Sequence, residues 1–548
     1  MYTHGGADNC ELPPDAQRFN VKNSVQPGTP NGDAWDDLLD RLDARGRLLE
    51  CPIPIIAGTV ISPMGCDSKI KVYADGSQKI KFRPFVDGRA TRTNERNLGA
   101  WSDARNRQHT QQTIHETMTR FIVDRTASVS LFDYEDFYLT MPRCRSSIPR
   151  NAIFWKRRGR DRPTVIYPMD DLFGHVTTPA KVELHAALLQ DVQERELAAA
   201  AGHPMLISRR TDDSVLPMTA EEAPRAQEFA NIFLNVCANF NQPIQRSKVL
   251  LGVVKFKFDG YWFDLNAFPN NRHGAHPGAV GIDQRRADDI HLRLRTAIKG
   301  STRKHLEELI GLIEWVATLA PHTRALLCTM RRAMHKVRQD FDLVPIDEEA
   351  RTDMQRLMAL HTKPRMTPFY LLYKLTPPQV ELWTDASGND HFGGYIPGDC
   401  GIFYTQKLSE SQVLDLELNL PENEDELSKC TCYLELVALW YMIVCAGKRL
   451  HSRVARWTTD AQASQKAWIR QSSGHHATNR LLALLSHHCT LHSIVLEARW
   501  VPREDNHLAD ILTHACIDQY CSLTGSNPSQ QVKVPQRAIR KVAALQMR

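Results

Sequence analysis

Leu306, Leu309, Ile310, Ile313 and Val316 recur at helical spacing, Pro321 interrupts the run, and a second apolar face follows through Leu326 and Met330. Residues 302–339 therefore predict a helical hairpin. A different period governs the flanks. Residues 70–87 alternate about Asp75, Gly76 and Ser77 and predict two strands carrying several cations. Between 128 and 213, short β-like runs alternate with turns around one helical stretch at 180–196, a mixed α+β pattern. A short amphipathic helix is expected over 35–50. From Val380 the pattern predicts three strands (380–386, 391–396 and 401–406), a helix from Tyr433, and a strand ending at Asp460. Further helices, a strand through Trp500 and a last helix from Asn506 complete it. Pro364, Pro368, Pro377 and Pro378 mark a linker before this segment.

Composition narrows the class. A chain of 548 residues exceeds what one core can serve, so three or four packed units are expected. With 42% hydrophobic and 24% charged residues, a chain disordered in bulk is excluded. The formal charge is only +5, so any polyanion site must come from local clustering. Residues 1–35, rich in Pro, Gly, Asn and Asp, read as a flexible leader, and 526–548 as a basic tail. Thirteen cysteines without a C-x-x-C pair argue for reduced thiols and against a zinc knuckle. The N-terminus lacks the apolar core of a signal peptide, and the longest apolar stretch, 436–446, is too short to span a bilayer. The expectation is a soluble intracellular protein, cytoplasmic or nuclear, with no membrane partner.

Four carboxylates fall at informative places in the C-terminal pattern: Asp385 late in its first strand, Glu435 in a helix, Asp460 at a strand end and Asp510 in the last helix. Such positions can converge at one edge of a sheet. Convergent oxygen ligands suit two Mg²⁺ (or Mn²⁺) ions roughly 4 Å apart, which activate a water and stabilise a leaving oxygen in phosphodiester cleavage. Taken singly, each acid fits equally well as a cap, a turn residue or a solvated charge. Their surroundings are more specific. The strings Trp383-Thr384-Asp385-Ala386-Ser387, Tyr433-Leu434-Glu435 through Leu439, Thr459-Asp460-Ala461, Trp500-Val501-Pro502 and Asn506 to Asp510 closely resemble the RNase H domain of retroelement polymerases. The resemblance covers about 379–520 and implies metal-ligand roles for Asp385, Glu435, Asp460 and Asp510, with Asn506 contacting nucleic acid. One departure is visible. Cellular RNases H carry a His on the loop before the final Asn and Asp, where this chain has Arg503-Glu504-Asp505, with His507 beyond it.

The N-terminal half carries a second constellation. Ser128 to Pro142 resembles the reverse-transcriptase strand that supplies a first metal-binding aspartate and an aromatic sugar gate five residues on, which implies Asp133 and Tyr138. Phe173 and Gly174, followed by Thr177 to Pro179, resemble the turn lining the nucleotide pocket. Arg210-Thr211-Asp212-Asp213 resembles the hairpin of paired catalytic aspartates, with Arg210 standing where the family usually has Tyr. Ser62-Pro63 with residues 79–89 resembles the fingers hairpin, in which Arg83 would hold the triphosphate. Asn241 to Lys248, then Leu251-Gly252, resembles the approach to the primer grip, and 302–339 the thumb. Details lean towards DIRS-like or gypsy-type elements.

The resemblance implies a multidomain α+β chain. Its parts are right-hand fingers and palm with an antiparallel sheet (36–260), a helical thumb (261–345), a connection (346–378) and an RNase H-like α/β domain with a mixed five-stranded sheet (379–525). The implied activity is an RNA-directed DNA polymerase with a ribonuclease H, taking an RNA template, a DNA or RNA primer, dNTPs and RNA:DNA hybrid. Cations at Arg150, Lys156, Arg157 and Arg158, and a stripe including Arg331 and Arg332, are candidate phosphate contacts, with solvated surface the competing reading. A catalytically inactive RNA-binding scaffold, suggested by Arg210, and a chain with only its nuclease alive stay open. So does the oligomeric state.

Overall fold

The computed structural model describes residues 25–545 apart from 53–55, 57–58, 60, 73–77, 87–113, 136, 138–147, 149–151, 171, 173–177, 211, 269–275, 363–364, 374–375, 389, 399–400 and 418–423. The chain divides into two compact units, Met1–Val253 and Val254–Arg548. Both mix helices with sheets.

The first unit opens on the helix Pro30–Ala44, which starts inside the segment expected to be a leader. Pro30 at the first helical position and the Thr29 hydroxyl, accepting the Gly32 N–H, fix its start, and Gly46 at φ +64 follows its end. Its apolar face, Trp35, Leu38, Leu39 and Leu42, packs on Met64, Val86, Ile153, Trp155 and Ile166. Strands β1 (Leu48–Cys51), β2 (Met64–Val72), β3 (Gln78–Val86), β4 (Ser128–Asp133), β5 (Ile153–Trp155), β6 (Thr164–Pro168), β7 (Ser208–Arg210), β8 (Asp213–Met218) and β9 (Leu250–Val253) follow. They form three antiparallel assemblies: β1-β6-β5, the hairpin β2-β3 where alternation predicted it, and β7-β8-β4-β9. Helices Thr178–Ala201 and Ala226–Asn239 share a core with the last sheet, in which Phe132 stacks on Phe233 at 3.8 Å.

In the second unit, β10 (Lys255–Phe258), β11 (Tyr261–Asp264), β12 (Ala279–Gly281) and, later in the chain, β15 (Met366–Pro368) make one antiparallel sheet. Between them run β13 (Ser301–Thr302) and β14 (Leu343–Val344), a two-stranded pair. The expected helical hairpin is there as Arg303–Val316 and Cys328–Met334, joined through the 3₁₀ segment Pro321–Leu327. It does not stand alone. Helices Gln284–Lys299 and Glu348–Leu360 close its core. The linker expected over 346–378 is therefore corrected: Asp347 caps a helix by accepting the Ala350 N–H at 2.9 Å, and Ala350, Met354 and Leu357 bury one face. Pro368 pairs with Ala279 in β15.

Strands β16 (Val380–Ser387), β17 (His391–Ile396), β18 (Ile402–Lys407), β19 (Val454–Thr459) and β20 (Val495–Trp500) form the five-stranded mixed sheet, order β18-β17-β16-β19-β20. β17 runs antiparallel to both of its neighbours, β18 and β16, and β16, β19 and β20 are parallel. Helix Glu424–Ala446 crosses it, every residue from Cys432 to Ile443 buried. By length and composition alone 431–449 is apolar enough to cross a membrane, and here that hydrophobicity fills the core. The basic tail is a second correction. Val534, Ala538, Ile539 and Val542 are buried, and the Trp440 indole N–H donates to the Ala538 carbonyl at 3.0 Å, so helix Gln536–Ala543 docks on this core.

Candidate active sites

Three of the four C-terminal acids meet. Ligand oxygens of Asp385, Glu435 and Asp460 all lie within 4.8 Å of one another, the one such group of three or more potential metal ligands among the described residues. Each comes from a different element. Asp385 sits on β16 opposite Gly393 of β17, Glu435 projects from the long crossing helix, and Asp460 follows β19. The parallel pairing of β16 with β19 brings both strand ends to the same edge. The short helix His507–Thr513 carries Asp510 and lies directly on Gly393, where an added Cβ would stand 2.7 Å from the Thr513 nitrogen. Only glycine permits that approach.

Neighbours lock the acids in place. Trp457 donates its indole N–H to the Thr384 hydroxyl at 2.9 Å, and buried Asn506 donates to the Thr384 carbonyl at 3.2 Å. Trp500 donates to the Asp460 carbonyl at 2.9 Å. Asn506 thus holds the backbone beside Asp385. In the altered loop, Arg503 reaches Asp510 at 3.4 Å, and His507 Nδ1 lies 3.1 Å from the Glu504 carbonyl oxygen.

The charge balance is lopsided. Burial, then the negative charges of Asp460 and Asp510, push the Asp385 carboxyl up to about 7. Glu435, 2% exposed, is pushed well above the usual carboxylate range by burial and by Asp385 and Asp460, and the two acids share a hydrogen bond. An all-oxygen donor set with unanswered negative charge fits a hard divalent cation.

The N-terminal acids are assembled differently. Asp133 ends β4 and stands directly opposite Asp213, which begins β8, while the Tyr134 N–H donates to the Asp212 carbonyl at 2.9 Å. Desolvation, then the Asp212 and Asp133 charges, raise Asp213 to about 7. Asp212, at the turn, is also raised, by desolvation and by the Asp133 charge, while a backbone hydrogen bond and the positive charges of Lys248 and, less, Arg83 pull it back. Arg83 lies on β3, opposite Asp67 of β2. The three aspartates do not form a group at ligand distance. Lys248 donates to Asp133 Oδ2 at 2.5 Å instead. Sequence reasoning missed Lys248 as a site residue, because nothing local marks a contact spanning more than a hundred positions.

Tyr138, Phe173, Gly174 and Arg150 lie outside the described residues. Lys156 is exposed. Arg157, by contrast, is 11% exposed and bound to Asp40, Asp43 and Glu50 at 2.5, 3.0 and 2.9 Å, which makes it a clamp between these acids. Arg158 pairs with Asp37 at 3.1 Å, Arg331 with Glu314 and Arg332 with Glu349. These charges are already answered within the fold.

No family model and no curated protein matches the sequence. Solved structures do. They include foamy viral protease-reverse transcriptases: the form designated dRH with double-stranded DNA (11% identity, TM-score 0.43), one with RNA/DNA hybrid (13%, 0.43) and one with double-stranded DNA (13%, 0.42). The alignments cover 90%, 88% and 90% of this chain and 74%, 56% and 88% of those chains.

Proposed function

We propose that the chain is an RNA-directed DNA polymerase fused to a ribonuclease H that degrades the RNA strand of an RNA:DNA hybrid. The supporting observation is the convergence of Asp385, Glu435 and Asp460 within 4.8 Å, beside Asp510, in a mixed sheet. These residues would hold Mg²⁺ or Mn²⁺. When bound, such ions supply an activated water and stabilise the leaving oxygen. The protein's own contribution is orientation: Asn506 and Trp457 fix the strand carrying Asp385, and Trp500 fixes the backbone at Asp460.

The polymerase half rests on Asp133 and Asp213 in register, with Asp212 at the turn. In this reading they serve attack of a primer 3′-OH on a dNTP, and Arg83 faces the triphosphate. Primer extension on an RNA template, run beside hybrid cleavage, tests both halves. Incorporation should need Mg²⁺ or Mn²⁺ and vanish in Asp213→Asn, and cleavage should vanish in Asp385→Asn. Neither activity in the wild type overturns the proposal. A second reading, in which only the nuclease works, is favoured by the Lys248 contact on Asp133, and predicts cleavage without incorporation.

A further inference from the structure

A cavity of about 190 Å³ lies inside the C-terminal unit, where the helical segments meet the end of helix His476–Leu491 and β20. Most of its wall is apolar: Val316, Leu319, Leu360, Leu371 and Ile494. Its polar groups are few and under-used. His322 is 7% exposed, and its Nε2 accepts the Leu496 N–H at 3.1 Å, which fixes the ring proton on Nδ1. Burial lowers His322 to about 4, so the ring is neutral at neutral pH. Its Nδ1–H has no partner among the described residues. His361 Nε2 and the Thr490 hydroxyl, on the same wall, are buried without hydrogen-bond partners.

The wall also carries a charge. Arg365 donates to the carbonyls of Thr490 and Leu491, both at 2.6 Å, and those neutral oxygens leave its positive charge uncompensated. Among the described residues, no Asp or Glu lines the space. A dry apolar cavity of roughly 150 Å³ accepts a benzene ring. The extra volume here is what a small anionic substituent needs.

We infer that this cavity is a binding site for a small aromatic carboxylate, its ring against the aliphatic wall and its carboxylate taken by Arg365 and the His322 Nδ1–H. The inference is independent of the proposed polymerase and nuclease activities. A bound ligand would touch helical segments, β15 and the C-terminal sheet domain at once, stiffening their junction.

Calorimetric titration of the full chain with benzoate and its neutral isostere benzamide tests this. Benzoate should bind one to one, about tenfold tighter than benzamide, the difference expected of a charge-assisted hydrogen bond. Arg365→Gln should erase that preference and Arg365→Lys retain it. Ala320→Phe, filling the space from a partly exposed wall position, should abolish binding of both. Hydrogen exchange of the unmutated chain gives a readout that no variant's folding can confuse: benzoate should slow exchange over 316–323 and 489–496. Absence of benzoate binding, equal affinity for both probes, binding untouched by Ala320→Phe, or protection elsewhere only would overturn the inference.

Discussion

The two acidic sites answer the same electrostatic problem in opposite ways. Asp385, Glu435 and Asp460 are drawn from separate elements and mostly buried, and among the described residues no Lys or Arg makes a salt bridge to them. Asp133 and Asp213 face each other across two neighbouring strands, and Lys248 already sits on one of them. In the proposed reading the first arrangement takes its cation from outside. The second makes an incoming cation compete with a lysine, so the two sites should differ in metal affinity although both are built from carboxylates.

The largest expected effect comes from breaking the C-terminal cluster. Asp385→Asn should reduce hybrid cleavage on the order of 10³-fold or more, because no other group reaches its position between the two remaining acids. The same variant should unfold at a higher temperature than the wild type without divalent ions, since mutual repulsion is relieved. Mg²⁺ should raise the wild-type midpoint and leave the variant's nearly unchanged. A variant that is less stable in the absence of metal would show that the acids are not overloaded, and the contrast between the sites would fall.

Acid sharpens the comparison between the units. Burial lowers His322, His361 and His487 to about 4 and His488 to about 3, all in the second unit. Each binds a proton more readily unfolded than folded. The stability they contribute is complete above about 6.5 and is lost as pH falls through about 4. For His322 alone the loss is on the order of 3 kcal/mol. Hydrogen exchange resolved by segment should show residues 254–545 losing protection over that window before the first unit does. Simultaneous loss in both would mean that these imidazoles do not set the acid limit.

Smaller effects separate the clamp from the surface in the first unit. Arg157→Ala leaves three acids unanswered around a mostly buried position and should cost about 1–3 kcal/mol in chemical denaturation. Arg158→Ala, at a side chain 57% exposed, should cost within about 0.5 kcal/mol. Equal costs would return Arg157 to the solvated charge run it resembles in sequence.

That pair also shows what was legible. Leu306, Leu309, Ile310, Ile313 and Val316 proclaim a buried face, and all five are buried. Asp385, Glu435 and Asp460 were readable because each lies in a distinctive string at the end or edge of a predictable element. Arg157 and Lys248 were not, because their meaning depends on acids far away in the chain. The closing helix Gln536–Ala543 was hidden by its brevity and its cations, with only Ala538, Ile539 and Val542 to mark an inward face. Proline-rich composition suggested a linker around 346–378, yet the Asp347 cap and its helical period outweigh it.

The smallest effect addresses Lys248 itself. Lys248→Met removes the cation on Asp133 while keeping a side chain of similar length, so Asp213 loses a charge that favours its ionised form. Two consequences oppose each other: Asp213 becomes harder to ionise, and a divalent ion no longer has a competitor. At a side chain 41% exposed, solvent screens the first more than direct occupancy weakens the second. Mn²⁺ affinity at this site should therefore rise several-fold, measured by electron paramagnetic resonance in an Asp385→Asn background that silences the other cluster. Unchanged or weaker Mn²⁺ binding would mean that Lys248 supports the site electrostatically and does not block it, and the two acid clusters would then be closer in kind than their geometry implies.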